Sequence, residues 1–67
     1  MNKLNMSIRS DICEHIAVFG ETESRTIIDI YSAKYQTSRQ RISGNLTTLL
    51  KIGALSINRN YPHSTLF

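Results

Sequence analysis

Apolar residues recur every three or four positions in three stretches of this chain, the spacing of one face of an α-helix. In the first stretch the spacings are four, four and three, Cys13 lies beside them, and the pattern stops at Gly20; its members are Ile8, Ile12, Ile16 and Phe19. This predicts an amphipathic helix over about 7–19, capped by Ser7 or Ser10 and ended by a glycine that can adopt a left-handed conformation.

The second stretch, "RTIIDIYSAKY", repeats the helical pattern. One face carries Ile27, Ile28, Tyr31 and Tyr35. We expect a helix over about 24–35, with Thr22 or Ser24 as its cap.

A third helix is predicted over about 38–52, beginning inside "TSRQRISGNL". Thr37 or Ser38 can accept a hydrogen bond from the free amides of its first turn. Gly53 ends the helix, and the apolar stripe is Ile42, Leu46, Leu49 and Leu50. A stripe at i, i+4, i+7 and i+8 is the face that such a helix buries.

The period then changes from helical to extended. Leu55 and Ile57 alternate with polar residues, "NRNYP" supplies turn residues, and "STLF" resumes an extended pattern, although Pro62 weakens the second strand near its start. We expect a β-hairpin over about 54–67. At 67 residues the chain forms a single domain, residues 1–67, that is mainly α with a small β-hairpin.

Three helices followed by a hairpin is the element order of a winged helix-turn-helix domain. The segment "YQTSRQRISGNLTTLLKIGAL" resembles the second half of that unit in MarR-type, ArsR-type and small fimbrial-operon regulators. The matching positions are Tyr35, Ser38, Ile42, Leu46, Leu49, Gly53 and Leu55. The resemblance covers residues 22–67. It implies a DNA-binding protein whose third helix enters the major groove and whose hairpin forms a wing.

The helical geometry of residues 38–52 supports that role separately. With Ile42 at the centre of the buried face, polar and basic side chains fall on the opposite side or at its edges. These candidate DNA-binding residues are Ser38, Arg39, Gln40, Arg41, Ser43, Gly44, Thr47 and Lys51. Arginine pairs with guanine, glutamine pairs with adenine, and hydroxyl groups bind base edges or phosphates. Gly44 permits either close approach to DNA or room for the first helix to cross.

Arg59 completes the candidate site, at the tip of the predicted wing. The resemblance implies that such a residue reaches the minor groove or the flanking phosphates, and a narrow A·T-rich groove favours arginine. The neighbouring Asn58 and Asn60 are more simply explained by turn geometry.

The charge distribution agrees with a polyanion as partner. All five acidic residues lie within 1–37, whereas residues 38–67 contain four basic residues and no acidic one. The whole chain has a net charge of +3 and a pI near 9.4. A surface that faces nucleic acid has this character. Since four basic residues give a modest electrostatic footprint, we expect a homodimer, or several copies side by side on DNA.

Other classes of function find little support in the sequence. We find no nucleophile with a base, no phosphate loop and no metal-ligand spacing around Cys13, His15 or His63, so we predict no enzyme, no metal and no cofactor. No apolar run is long enough for a membrane span or a secretion signal, so we expect a cytoplasmic protein without a membrane partner.

The sequence therefore predicts sequence-specific binding of double-stranded DNA by a small transcriptional regulator. The alternative is a winged-helix protein-binding module, an inhibitor or adaptor that docks on a host protein of a nucleic-acid machine. That alternative calls for exposed apolar anchors on the third helix. RNA binding stays open as well, because basic residues do not distinguish the two polymers.

Overall fold

The order of elements along the chain is helix, strand, helix, helix, strand, strand. The computed structural model describes residues 3–58 and 65–67. Its elements are α1 (Lys3–Phe19), β1 (Thr22–Glu23), α2 (Ser24–Lys34), α3 (Arg39–Lys51), β2 (Ile57–Asn58) and β3 (Thr65–Leu66). The fold is mainly helical with a small antiparallel sheet, as the sequence predicts at this level. No helix in these two ranges is long and apolar enough to cross a membrane.

Helix α1 begins four residues before the predicted start. Leu4 packs against the core and extends the apolar stripe by one turn ahead of Ile8. Ser7 and Ser10 therefore lie inside the helix, and the prediction that one of them caps it is wrong. The apolar pattern also predicts that Phe19 lies on the buried face of α1, but Phe19 is 73% exposed at the end of the helix.

Helix α2 begins without a side-chain cap. Its N-cap residue is Glu23, whose side chain makes no capping hydrogen bond. Thr22 lies in β1, and its hydroxyl donates to the Gly20 carbonyl at 3.0 Å. The prediction that Thr22 or Ser24 caps this helix is wrong, because Glu23 occupies the N-cap position, with Thr22 one residue before it and Ser24 inside the helix.

The turn from α2 to α3 is short and tightly hydrogen-bonded. Tyr35 is the C-cap of α2, and Gln36 follows with a positive φ of 50°. The Gln36 amide donates to the Ala33 carbonyl at 3.3 Å, and the Thr37 amide donates to the Ser32 carbonyl at 3.0 Å. This is a Schellman ending, which usually has glycine at the left-handed position.

Both ends of α3 use local capping. Ser38 is the N-cap, and its hydroxyl accepts a hydrogen bond from the Arg41 amide at 3.2 Å, which confirms Ser38 rather than Thr37. At the other end Gly53 has a φ of 81° and donates to the Leu50 carbonyl. The Ala54 amide donates to the Leu49 carbonyl at 2.9 Å. Glycine is favoured there because a residue with a side chain adopts this conformation only at an energetic cost.

The sheet contains one more strand than the hairpin that the sequence predicts. Its order is β1-β3-β2, with both pairs antiparallel. In β3, Leu66 lies opposite Thr22 on one side and Ile57 on the other. A two-residue strand shows no alternation of polar and apolar residues, so β1 leaves no signal in the sequence. Of the predicted turn residues 58–62, Asn58 lies in β2, so its assignment to the turn is wrong, and residues 59–62 lie outside the described residues.

One apolar core lies between the helices and the sheet. Every helix contributes to it, and Leu55 and Leu66 bring in the C-terminal segment. The buried residues are Ile8, Ile12, Ile16, Ile27, Tyr31, Ile42, Leu46, Leu49, Leu55 and Leu66. The predicted alternation places Leu55 and Ile57 on the same buried face. In the structure Leu55 is buried, but Ile57 is 39% exposed, so that part of the prediction is wrong.

Candidate functional site

Helix α3 buries one side and leaves the other open. Ile42, Leu46 and Leu49 point into the core, and the helix packs against both α1 and α2. At about 100° per residue, the centre of the opposite side is a line of four exposed residues: Gln40, Gly44, Thr47 and Lys51. Arg39, Arg41 and Ser43 are exposed beside this line. We call this side of α3 the open face.

The open face continues into α1 across a shallow cleft of about 420 Å³. Helix α1 contributes Asn5 and Arg9 to the cleft, and α3 with its N-cap contributes Ser38, Gln40, Arg41, Gly44, Asn45 and Thr48. Every lining side chain larger than glycine carries a polar group, and none is acidic. The cleft therefore favours a polar or anionic ligand over an apolar one.

A buried amide group connects the two walls of this cleft. Asn45 is only 3% exposed, yet all of its polar groups are paired. Its Oδ1 accepts from Arg9 Nε at 2.7 Å, and its Nδ2 donates to the Arg41 carbonyl at 2.9 Å and to Asn5 Oδ1 at 3.2 Å. These bonds offset the cost of burying the amide and fix where α1 lies against α3.

The other edge of α3 faces α2 and the sheet. Arg39, one of the candidate residues, forms a salt bridge with Asp29 of α2. Residues 38–67 contain no acidic residue, but Asp29 from the first half of the chain lies next to Arg39 in the folded protein. Between α3 and the sheet lies a smaller groove of about 170 Å³. Ser43 and Thr47 line it together with Ile57 and Leu66.

Gly44 lies at the centre of the open face. A Cβ atom built at this position would have no neighbour within 4 Å. The alternative that Gly44 gives the first helix room to cross is therefore wrong. Since a glycine inside a helix costs about 1 kcal/mol relative to alanine, its presence on an unobstructed surface needs another explanation.

The hydroxyl groups of Thr47 and Thr48 donate hydrogen bonds within α3, so their protons are not available to a ligand. The Thr47 hydroxyl donates to the Ser43 carbonyl at 3.1 Å, and the Thr48 hydroxyl donates to the Gly44 carbonyl at 3.1 Å. Bonds of this kind use the hydroxyl proton within the helix. Thr47 therefore presents a methyl group and an acceptor oxygen to the outside.

The basic residues around α3 differ in their pairing. Arg39 is paired with Asp29, whereas no ion pair to another described residue is found for Arg9, Arg41 or Lys51. Elsewhere Lys34 pairs with Asp11 and Arg25 pairs with Glu23, each at 2.8 Å. Three of the described basic residues without an ion pair thus lie on or beside the open face, and the fourth, Lys3, lies at the start of α1. Arg59, the remaining candidate residue, lies outside the described residues.

Asp11 lies on the side of α1 opposite to Arg9 and the cleft. It accepts hydrogen bonds from Lys34 Nζ at 2.8 Å and from the Tyr35 hydroxyl, and both lower the pKa of its carboxyl group. The bond to Asp11 raises the pKa of Lys34 and of Tyr35. We interpret this cluster as a link between α1 and α2. In the described part of the chain, no group of three or more His, Cys, Asp or Glu residues could hold a metal ion.

Large exposed apolar residues are present, but away from the centre of the open face. Val18 and Phe19 lie at the end of α1, and Ile52 is the C-cap of α3. Within Arg39–Lys51 the outward side of α3 carries no large exposed apolar residue of the kind that a protein-binding version calls for, although the exposed Ile52 follows directly after it.

Sequence reasoning misses Arg9 and Asn45 as members of the site. Asn45 interrupts the apolar stripe three residues after Ile42 and is the polar residue that α3 buries. That interruption was a usable signal, since a polar residue on a buried stripe needs a partner. Nothing in the spacing identified Arg9 as that partner, because the two residues are 36 positions apart.

Comparison with protein-family models, with curated proteins and with solved structures finds no match to this chain.

Proposed function

We propose that this protein is a winged helix-turn-helix domain that binds double-stranded DNA and regulates transcription. The observation that carries the proposal is the open face of α3. It combines Gln40, Arg41 and Lys51 with a central glycine, on a helix preceded by a tight turn from α2. An α-helix with such side chains fits the major groove of B-form DNA.

The surroundings of α3 support the same reading. Ile57 of β2 and Leu66 of β3 line the same groove as Ser43 and Thr47 of α3, so a wing formed by the C-terminal segment would lie beside that helix. Arg59 falls between β2 and β3 in sequence, which is the position of a wing tip. Phosphate contacts by Arg41 and Lys51 would supply affinity, while Gln40, Ser43 and the Thr47 methyl group would read base edges.

Fluorescence anisotropy of labelled random-sequence duplex DNA, titrated with the protein over a salt series, tests the proposal. We expect binding at low salt whose log Kobs falls linearly with log[salt]. The Arg41→Gln variant should reduce the slope by about 0.9, the value for one phosphate contact. Lys34→Gln removes the same charge from the last turn of α2, where Lys34 pairs with Asp11, and should leave the slope unchanged.

Two further results bear on the alternatives. Duplex RNA should compete more weakly than DNA, because the deep and narrow major groove of A-form RNA does not admit a helix. Equal competition would favour RNA as the ligand. Absence of binding to either duplex at low salt would contradict the proposal and favour a protein-binding module.

A further inference from the structure

Arg9 is a basic side chain that α1 contributes to the edge of the open face. It lines the cleft opposite Ser38, Gln40 and Arg41. Its Nε donates to Asn45 Oδ1 at 2.7 Å, so the Nε–H of the guanidinium group is already hydrogen-bonded within the protein. The η nitrogens make no hydrogen bond with any residue in 3–58 or 65–67 and remain available for a ligand.

The position of the guanidinium group is set by Asn45. The Arg41 carbonyl can only accept and Arg9 Nε can only donate, so the Asn45 amide has one consistent orientation, with Oδ1 toward Arg9. Asn45 is buried and cannot turn without losing these bonds. Arg9 is thereby held in place before any ligand arrives, which lowers the entropy lost on binding.

The charge of Arg9 is not neutralised within the cleft. No acidic residue lines the cleft, and three of the five acids pair with other bases: Asp11 with Lys34, Glu23 with Arg25 and Asp29 with Arg39. Arg41, on the other wall, likewise has no ion pair to a described residue. Arg9 and Arg41 both line this polar cleft, and the guanidinium group of arginine suits the planar, bidentate recognition of phosphate.

We propose that Arg9 and Arg41 form a phosphodiester-binding site for the DNA strand that borders the groove entered by α3. Asn45 is the positioning residue of this site. The inference rests on the proposed function and adds a contact from α1 that lies outside the helix-turn-helix segment.

The side-chain chemistry of position 9 offers a matched pair of variants. In Arg9→Gln the amide nitrogen occupies the place of Nε, so it can still donate to Asn45 while the charge is lost. In Arg9→Lys the charge is kept, but a methylene group replaces Nε and the bond to Asn45 is lost.

DNA binding over a salt series separates the two contributions. We expect Arg9→Gln to reduce the slope by about 0.9 and weaken binding to all sequences equally. Arg9→Lys should keep the slope and weaken binding, since its charge is no longer held at the site. Lys34→Gln is the charge control. If wild-type protein binds DNA and Arg9→Gln behaves like Lys34→Gln, this inference fails while the proposed function stands.

An NMR measurement tests the positioning without DNA. The Nε–H signal of Arg9 should be protected from solvent exchange in the free protein, and Asn45→Ala should abolish that protection. Titration with duplex DNA should shift the Arg9 signals, whereas inorganic phosphate at equal ionic strength should not saturate the site. An unprotected Arg9 Nε–H in the wild type, or saturation by phosphate alone, would overturn the inference.

Discussion

Packing within the free protein does not explain why residue 44 of α3 is a glycine. Because nothing lies within 4 Å of the Cβ position, Gly44→Ala should stabilise the fold by about 1 kcal/mol through helix propensity. For a domain of this size that raises Tm by about 4–8 °C. Thermal unfolding followed by circular dichroism measures the change.

The same substitution should weaken DNA binding, since a methyl group would stand at the centre of the open face. Ser10→Ala is the control, because Ser10 is exposed on the outer side of α1. It should alter DNA binding little. Unchanged DNA affinity in Gly44→Ala would contradict the role of Gly44 in close approach to the groove.

Asp29 modifies the charge that α3 presents. It neutralises Arg39 in the free protein, although both side chains are more than half exposed and the pair contributes little to stability. Asp29→Asn should release Arg39 toward phosphate, tighten DNA binding, and steepen the salt dependence by up to about 0.9. Anisotropy titrations of the variant and the wild type measure both quantities. A weaker complex would indicate that Asp29 orients Arg39 for the DNA instead.

At the level of the elements, the turn between α2 and α3 has an unusual residue at its left-handed position. Gln36 adopts a φ of 50° where glycine is the common residue. Gln36→Gly should therefore stabilise the protein by about 0.5–1 kcal/mol. Gln36→Ala keeps the unfavourable conformation and should give no such gain. Urea unfolding of the three proteins compares them, and equal stabilities would show that the turn is not strained.

The link between α1 and α2 makes stability depend on pH at both ends of the scale. The pKa of Asp11 is lowered in the folded state, so its contribution is present above the ordinary aspartate value near 4 and is lost as pH falls through the folded-state pKa. The pKa values of Lys34 and Tyr35 are raised, so their contribution is present below about 10 and is lost at higher pH.

Asp11→Asn should remove both dependences. The wild type should exceed the variant in stability between about pH 5 and 9, and the difference should shrink outside that range. Chemical unfolding across pH measures it. A difference that stays constant across pH would mean that the charge on Asp11 does not contribute.

The helices could be predicted from the sequence because each carries a long apolar stripe, from Ile8 to Ile16 in α1 and from Ile42 to Leu49 in α3. Boundaries and caps were less predictable, since Leu4 extends α1 and Glu23 begins α2 without a side-chain bond. The exposed residues of α3 followed from its helical period. Arg9 and the Asp29–Arg39 pair did not, because both depend on how α3 packs against its neighbours rather than on spacing within it.

For the molecule as a whole, we expect the small number of basic residues that can contact phosphate to limit how tightly one copy binds DNA. Arg9, Arg41 and Lys51 have no ion pair to a described residue. Phosphate contacts by these three residues should give one copy a salt slope of about −3, and a contact by Arg59 would bring it to about −4, with affinity in the range of non-specific binding, about 10⁻⁴–10⁻⁶ M at physiological salt. Tight and specific binding then requires more than one copy.

Duplex length tests this expectation. A duplex of about 12 base pairs accommodates one recognition helix, and one of about 24 accommodates two copies one helical turn apart. We expect the longer duplex to bind two copies with a slope about twice as steep and with greater affinity per copy. Sedimentation velocity gives the stoichiometry and anisotropy gives the slope. Equal slopes with one copy on each duplex would mean that the protein binds DNA as a monomer. Specific binding would then require a second DNA-binding protein.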